Sequence, residues 1–106
     1  MPDALIVFVT YPDAESALRA AKLIVQQKLA ACVNVLPQMT SVYEWRGEAR
    51  TDTEHLLLVK TEAARYSALE AAIAGAHPYE LPEIIATPIA RGLGEYLEWI
   101  AAQTTA

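Results

Sequence analysis

The spacing of apolar positions changes period in a regular order along the chain. Leu5 to Val9 is a continuous apolar run with β-branched residues, which predicts a strand covered on both faces. Tyr11-Pro12-Asp13 breaks that run, and Asp13 is a candidate helix N-cap. Ala14, Leu18, Ala21 and Val25 then recur at helical spacing, with Arg19, Lys22 and Gln26 on the other faces, predicting a helix to about Lys28. Cys32 to Leu36 alternates as a second strand, Val33 and Val35 one way, Cys32 and Asn34 the other. Pro37 interrupts its ladder and Ser41 to Trp45 resumes it, with Tyr43 and Trp45 sharing a side. Arg46-Gly47-Glu48 is a turn signal. Thr53 to Thr61 predicts a third strand, with Leu57 and Val59 on the face of His55, itself expected near solvent. Glu62 to Ala74 predicts a helix with Leu69, Ala72 and Ile73 inward, ended by Gly75. Ile84 to Ile89 reads as a fourth strand, and Tyr96, Leu97 and Ile100 mark a short terminal helix.

The order β-α-β-β-α-β plus a terminal helix is the ferredoxin-like order of the α+β class. Right-handed crossovers then place both long helices on one face of a four-stranded antiparallel sheet. The strands do not alternate as a solvent-washed sheet does, so something covers the second face. The hairpin gives the same message. Ala31 to Trp45, fully extended, spans roughly 50 Å at ~3.3 Å per residue. A domain of this size has a radius of gyration of about 13 Å. The hairpin therefore overhangs its own domain or bends sharply at Pro37. An overhanging hairpin that carries Tyr43 and Trp45 needs a partner chain. Both features point to an oligomer.

Composition narrows the classes. A length of 106 residues means one domain, 1–106, and 54% hydrophobic residues are enough to build a core. A formal net charge of −5 argues against nucleic acid or an anionic membrane as partner. No apolar run approaches the length of a membrane span. Cys32 is the one cysteine, so no intrachain disulfide forms, and a reducing cytoplasm is the simplest home.

The richest chemistry lies in His77-Pro78-Tyr79-Glu80-Leu81-Pro82-Glu83. Each proline lacks an N–H and biases the residue before it toward extended geometry, so the run is a stiff connector. It carries an imidazole, a phenol and two carboxylates. Elsewhere, Lys60 sits in a mostly apolar strand, where it needs a carboxylate partner or a path for its head to solvent. Tyr43, Trp45 and Tyr79 suit either a small-molecule cleft or an interface. No base–nucleophile pair, phosphate loop or nucleophile elbow is visible, which argues against an enzyme.

Ala30-Ala31-Cys32-Val33-Asn34, Pro37, Ser41-Val42-Tyr43-Glu44-Trp45, Gly47, Lys60-Thr61, the connector with Ile84, and Tyr96-Leu97-Glu98-Trp99-Ile100 stand together in order. In this the chain resembles the CutA family of divalent-cation tolerance proteins over nearly its whole length. The resemblance implies a ferredoxin-like homotrimer, similar in architecture to PII signalling proteins, that binds copper or other divalent ions. Some members carry a second cysteine near the position of Thr10; its absence here excludes a two-thiolate copper site within one subunit. Under that implication Cys32 is a soft ligand for copper or a small buried hydrophobe. His77 is an imidazole ligand, with Glu80 or Glu83 as oxygen partners, or a histidine stabilised by the end of the preceding helix. Three functions follow: a trimeric Cu(II)-binding protein of ion tolerance, a PII-like sensor of a small ligand, and an enzyme using Cys32 or His77, in that order.

Overall fold

The computed structural model describes residues 3–105. The elements run β1 (Ala4–Tyr11), α1 (Ala14–Gln26), β2 (Cys32–Trp45), β3 (Glu48–Glu62), a 3₁₀ turn (Ala63–Arg65), α2 (Tyr66–Ala76), β4 (Ile84–Pro88) and α3 (Gly94–Gln103). The sheet order is β2-β3-β1-β4, and every pairing is antiparallel. This is the expected ferredoxin-like α+β arrangement.

Partnered residues of a ladder share a face. Val7 and Val9 oppose Val59 and Leu57, which oppose Val33 and Val35. These side chains form the core with Ala17, Ala21 and Ile24 of α1 and Leu69 and Ile73 of α2. The sequence reading placed α1 on Ala14, Leu18, Ala21 and Val25, of which Ala21 is buried, but Leu18 and Val25 are not. Those two are exposed, and small alanines turn inward instead. Alanine lets the helix axis lie close to a sheet whose own side chains are branched and bulky, with Ile24 the one large α1 side chain in the buried set.

The other face carries Ile6 and Phe8 of β1, Leu56 and Leu58 of β3 and Ile85 of β4. α3 covers only one end of it, where Ile100 and Leu97 pack on Ala4 and Ala31. Leu36 and Ile85 stay exposed.

Several boundaries differ from the sequence reading. β1 continues to Tyr11, and α1 ends at Gln26. β3 begins at Glu48 rather than Thr53, because pairing with β2 holds its polar outer half in the ladder. α2 starts after a 3₁₀ turn and runs through Gly75 to Ala76, so the helix ends on the extended backbone of His77 instead of on glycine. β4 ends at Pro88, and α3 begins at Gly94. His55 is buried, on the helix-bearing face, and not near solvent.

β2 passes through Pro37 with a bulge. Leu36 pairs with Leu56 and Met39 with Glu54, so Pro37 and Gln38 together oppose His55. Gln38 takes a left-handed φ of 51°. A bulge bends its strand and increases the local twist. The hairpin closes with a two-residue turn in which Arg46 and Gly47 both have positive φ, 51° and 82°. Two positive φ values make the type I′ turn, whose twist matches that of the flanking strands. Extended, the 15 residues of β3 would reach roughly 50 Å, yet the longest dimension of the molecule is 44 Å, so the hairpin curves.

The observed face of α1 gives a direct test. Ile24→Ala, at a buried position, should lower unfolding free energy by about 2–5 kcal/mol. Leu18→Ala should cost far less, on the order of 0.5 kcal/mol. Urea titrations of both variants check this, and equal losses would restore the Leu18 face as the inward one.

Candidate functional site

The bulge changes which residues of β2 line the uncovered face. Before it, Cys32 and Asn34 pair with Lys60 and Leu58 on that side. After it, Met39, Ser41, Tyr43 and Trp45 pair with Glu54, Asp52, Arg50 and Glu48. Odd-numbered residues have taken over because one extra residue was absorbed. The curved hairpin and the 77–83 connector enclose a cleft of about 690 Å³. Its walls include Thr10, Tyr43, Trp45, Arg50, Glu54, Tyr79, Glu80 and Glu83.

His77 fixes the connector. Its Nε2–H donates to the Thr10 carbonyl at 2.7 Å, and its Nδ1 accepts the Tyr79 N–H at 3.1 Å. The ring stacks on Tyr11 with centroids 4.3 Å apart. These contacts require the neutral ring, protonated on Nε2. Burial holds the imidazole below its usual pKa of 6.5, against the opposing pulls of the Thr10 carbonyl and the Glu54 carboxylate.

Tyr79 crosses to the cleft and donates its hydroxyl to Glu54 Oε2 at 2.7 Å. Burial, and then that hydrogen bond, push the Tyr79 phenol well above its usual range, so it keeps its proton. Tyr43 donates its hydroxyl to Asp52. Glu83 lies close enough to Glu54 to feel its charge. Burial first, and that carboxylate second, raise the Glu83 pKa. At the rim, Arg46 reaches Glu80 at 2.9 Å while its guanidinium lies 5.4 Å from the centre of the Trp45 ring. The hairpin tip thus touches the connector.

Residues 5–103 match the family described as CutA1 divalent ion tolerance protein. The chain belongs to the CutA family. The divalent-cation tolerance protein CutA of Thermus thermophilus is 46% identical over 99 residues, which are 93% of this chain and 96% of that protein. The solved Cut A1 structure from the same organism has a TM-score of 0.93 at 45% identity, covering 96% of this chain and 99% of that one. CutA1 from Oryza sativa gives a TM-score of 0.95 at 42% identity, over 98% of this chain and 95% of that one. The chloroplastic CutA of Arabidopsis thaliana is 44% identical over 95% of this chain, which spans only 56% of that longer relative.

Of the residues singled out in sequence, Tyr79, Glu80 and Glu83 meet Tyr43 and Trp45 around this CutA cleft, while the His77 ring lies outside its lining, stacked on Tyr11. Cys32 and Lys60 do not. They pair across β2 and β3 near α3. Cys32 is half-buried beside Tyr96. Lys60 hydrogen-bonds the Asn34 side chain, so its partner is an amide and not a carboxylate. Among the described residues, no three His, Cys, Asp or Glu side chains converge as a metal-holding group. Glu54 and Arg50 were missed in sequence. The available signal for Glu54 was a carboxylate two residues before the apolar stretch that starts at Leu56.

The buried neutral His77 makes stability depend on pH. Its folded pKa is depressed, so its contribution is complete above 6.5 and is lost as pH falls from there through the folded value. The melting temperature of the wild type should therefore fall more steeply between pH 7.5 and 5.5 than that of His77→Gln, which cannot titrate. Glu83 has a raised pKa and acts with the opposite sign, but it is common to both proteins. Parallel melting curves would show that the ring is not held neutral.

Proposed function

We propose that this chain is a homotrimeric, non-catalytic cytoplasmic protein that binds divalent metal ions, Cu(II) foremost, and acts in divalent-cation tolerance. The family match over residues 5–103 carries this reading. The ion sits at the connector, with His77 as the imidazole ligand and Glu80 and Glu83 as oxygen partners. To ligate, His77 Nδ1 must release the Tyr79 N–H. A single subunit supplies an incomplete donor set, so groups from other subunits complete it, with the half-buried Cys32 as the alternative soft donor. Copper is favoured because imidazole affinities peak there among the divalent ions. Trimer formation is supported by the apolar second sheet face and by Val42 and Leu81, which are 74% and 71% exposed. The single cysteine supports a reducing compartment.

Light scattering should give a mass near three times 11.6 kDa, whereas a stable monomer would contradict the assembly. Calorimetry with Cu(II) should show binding weakened about tenfold or more in His77→Ala and in Glu83→Gln, and little changed in Cys32→Ser. Loss in Cys32→Ser alone would move the site to the thiol. Unaltered binding in all three variants would remove the connector from metal binding.

A second reading is a PII-like module that senses a small ligand. The cleft of about 690 Å³ favours it, since small-molecule sites commonly fall between 300 and 1,000 Å³.

A further inference from the structure

We propose that the cleft between the β2–β3 hairpin and the connector binds a small organic ammonium ion, its N–H groups directed at Glu54 and Glu83 and its apolar body against Tyr43 and Tyr79. This rests on the small-ligand reading of the cleft and names the class of ligand.

Tyr79 gives its only O–H to Glu54, and Tyr43 gives its only O–H to Asp52. A phenol whose proton is committed offers a ligand only lone pairs. The Glu54 and Glu83 carboxylates offer only lone pairs as well when ionised. This end of the cleft is thus rich in acceptors, and the hydroxyl donors left on the lining are those of Thr10 and Ser41. Arg50, the lining residue that carries a guanidinium, is paired with Tyr43 and stands four residues from Glu54 on β3, about 13 Å between their backbones along an extended strand. Among the described residues, an anion finds no cation paired with Glu54 to receive it, and meets the carboxylates of Glu54 and Glu83 instead. An ammonium brings three donors and a positive charge, and aromatic faces attract such a charge.

Charge points the same way. Glu83 sits partly buried beside the carboxylate of Glu54, an arrangement that a cation between them relieves. At the rim the chain shows the same chemistry with its own cation: Arg46 is held between the Trp45 ring and the Glu80 carboxylate. The interior pair, Glu54 and Glu83, has no such guanidinium in the ion pairs formed among the described residues.

The test uses the full-length protein freed of metal with EDTA, at pH 7.5, so that it is independent of copper binding. Three probes of similar shape are titrated by ¹⁵N–¹H NMR: phenethylamine, 2-phenylethanol and phenylacetate. Phenethylamine should bind saturably, once per chain, with shifts centred on Tyr43, Glu54, Tyr79 and Glu83. The alcohol should bind about tenfold more weakly or worse, and phenylacetate not at all. Glu83→Gln should weaken the amine about tenfold while its melting temperature stays near that of the wild type; if it unfolds, Tyr43→Phe serves as the second variant, keeping the ring and freeing Asp52. Alcohol or acid binding as tightly as the amine overturns the ammonium assignment but leaves the cleft a small-ligand site. Binding of none of the three overturns both, the cleft then being closed to ligands in the assembled protein. An unchanged amine affinity in a folded Glu83→Gln overturns the placement.

Discussion

One extra residue in β2 governs the shape of the functional end of this molecule. Pro37 and Gln38 share a single partner, His55, and Gln38 adopts a left-handed backbone to do so. Proline suits the position because a bulge has a backbone N–H that need not join the ladder. The resulting bend turns the outer half of the hairpin over its own sheet. Without it, the outer half of the hairpin, Met39 to Trp45 paired with Glu48 to Glu54, would project away from the core as a long ribbon. With it, Arg46 at the tip meets Glu80, and Tyr43, Trp45 and Arg50 face the connector. The cleft is therefore a product of strand curvature rather than of loop length.

The connector supplies the opposing wall, and its rigidity comes from two sources. The prolines restrict the backbone locally. His77 then ties it to the end of β1 by one hydrogen bond and to its own chain two residues on by another. The imidazole acts as a strut whose two nitrogens have opposite roles. Tyr79 extends the same chain of contacts to the buried Glu54, so the core strand β3 sets where the cleft's acceptors lie. Metal binding and organic-cation binding draw on overlapping carboxylates, so the fixed connector is the common element of both readings.

The strand and helix order was legible because apolar period survives in β1, β3 and α2 regardless of tertiary context. The ferredoxin-like topology followed from that order, and the turn at Arg46-Gly47 and the irregularity at Pro37 followed from local backbone chemistry. The inward face of α1 was legible only at Ala21. Pattern reading favours large apolar residues, whereas close packing on the sheet selected Ala17 and Ala21 and left Leu18 outside. The polar half of β3 escaped because its stability comes from pairing with β2, which carries no hydrophobic signature. His55 was misplaced for a related reason: it is buried where β3 pairs with Tyr11 of β1, a contact that its neighbours in sequence do not reveal. The connector was recognisable as a site, but its acidic partner Glu54 lies more than twenty residues upstream, joined to it only through the fold.

The Pro37–Gln38 bulge folds the hairpin over the connector. Deleting Gln38 leaves Pro37 opposite His55 and every other side chain on its present face, while removing the bend. Spin labels at positions 44 and 81, compared by double electron–electron resonance in the wild type and in the Gln38-deleted chain, with labelled subunits diluted in unlabelled protein, measure the effect directly. The account predicts a short, narrow distance in the wild type and a longer, broader one after the deletion, with the core intact by circular dichroism. The same short distance in both proteins would show that the hairpin closes over the connector without the bulge, and the account would be wrong.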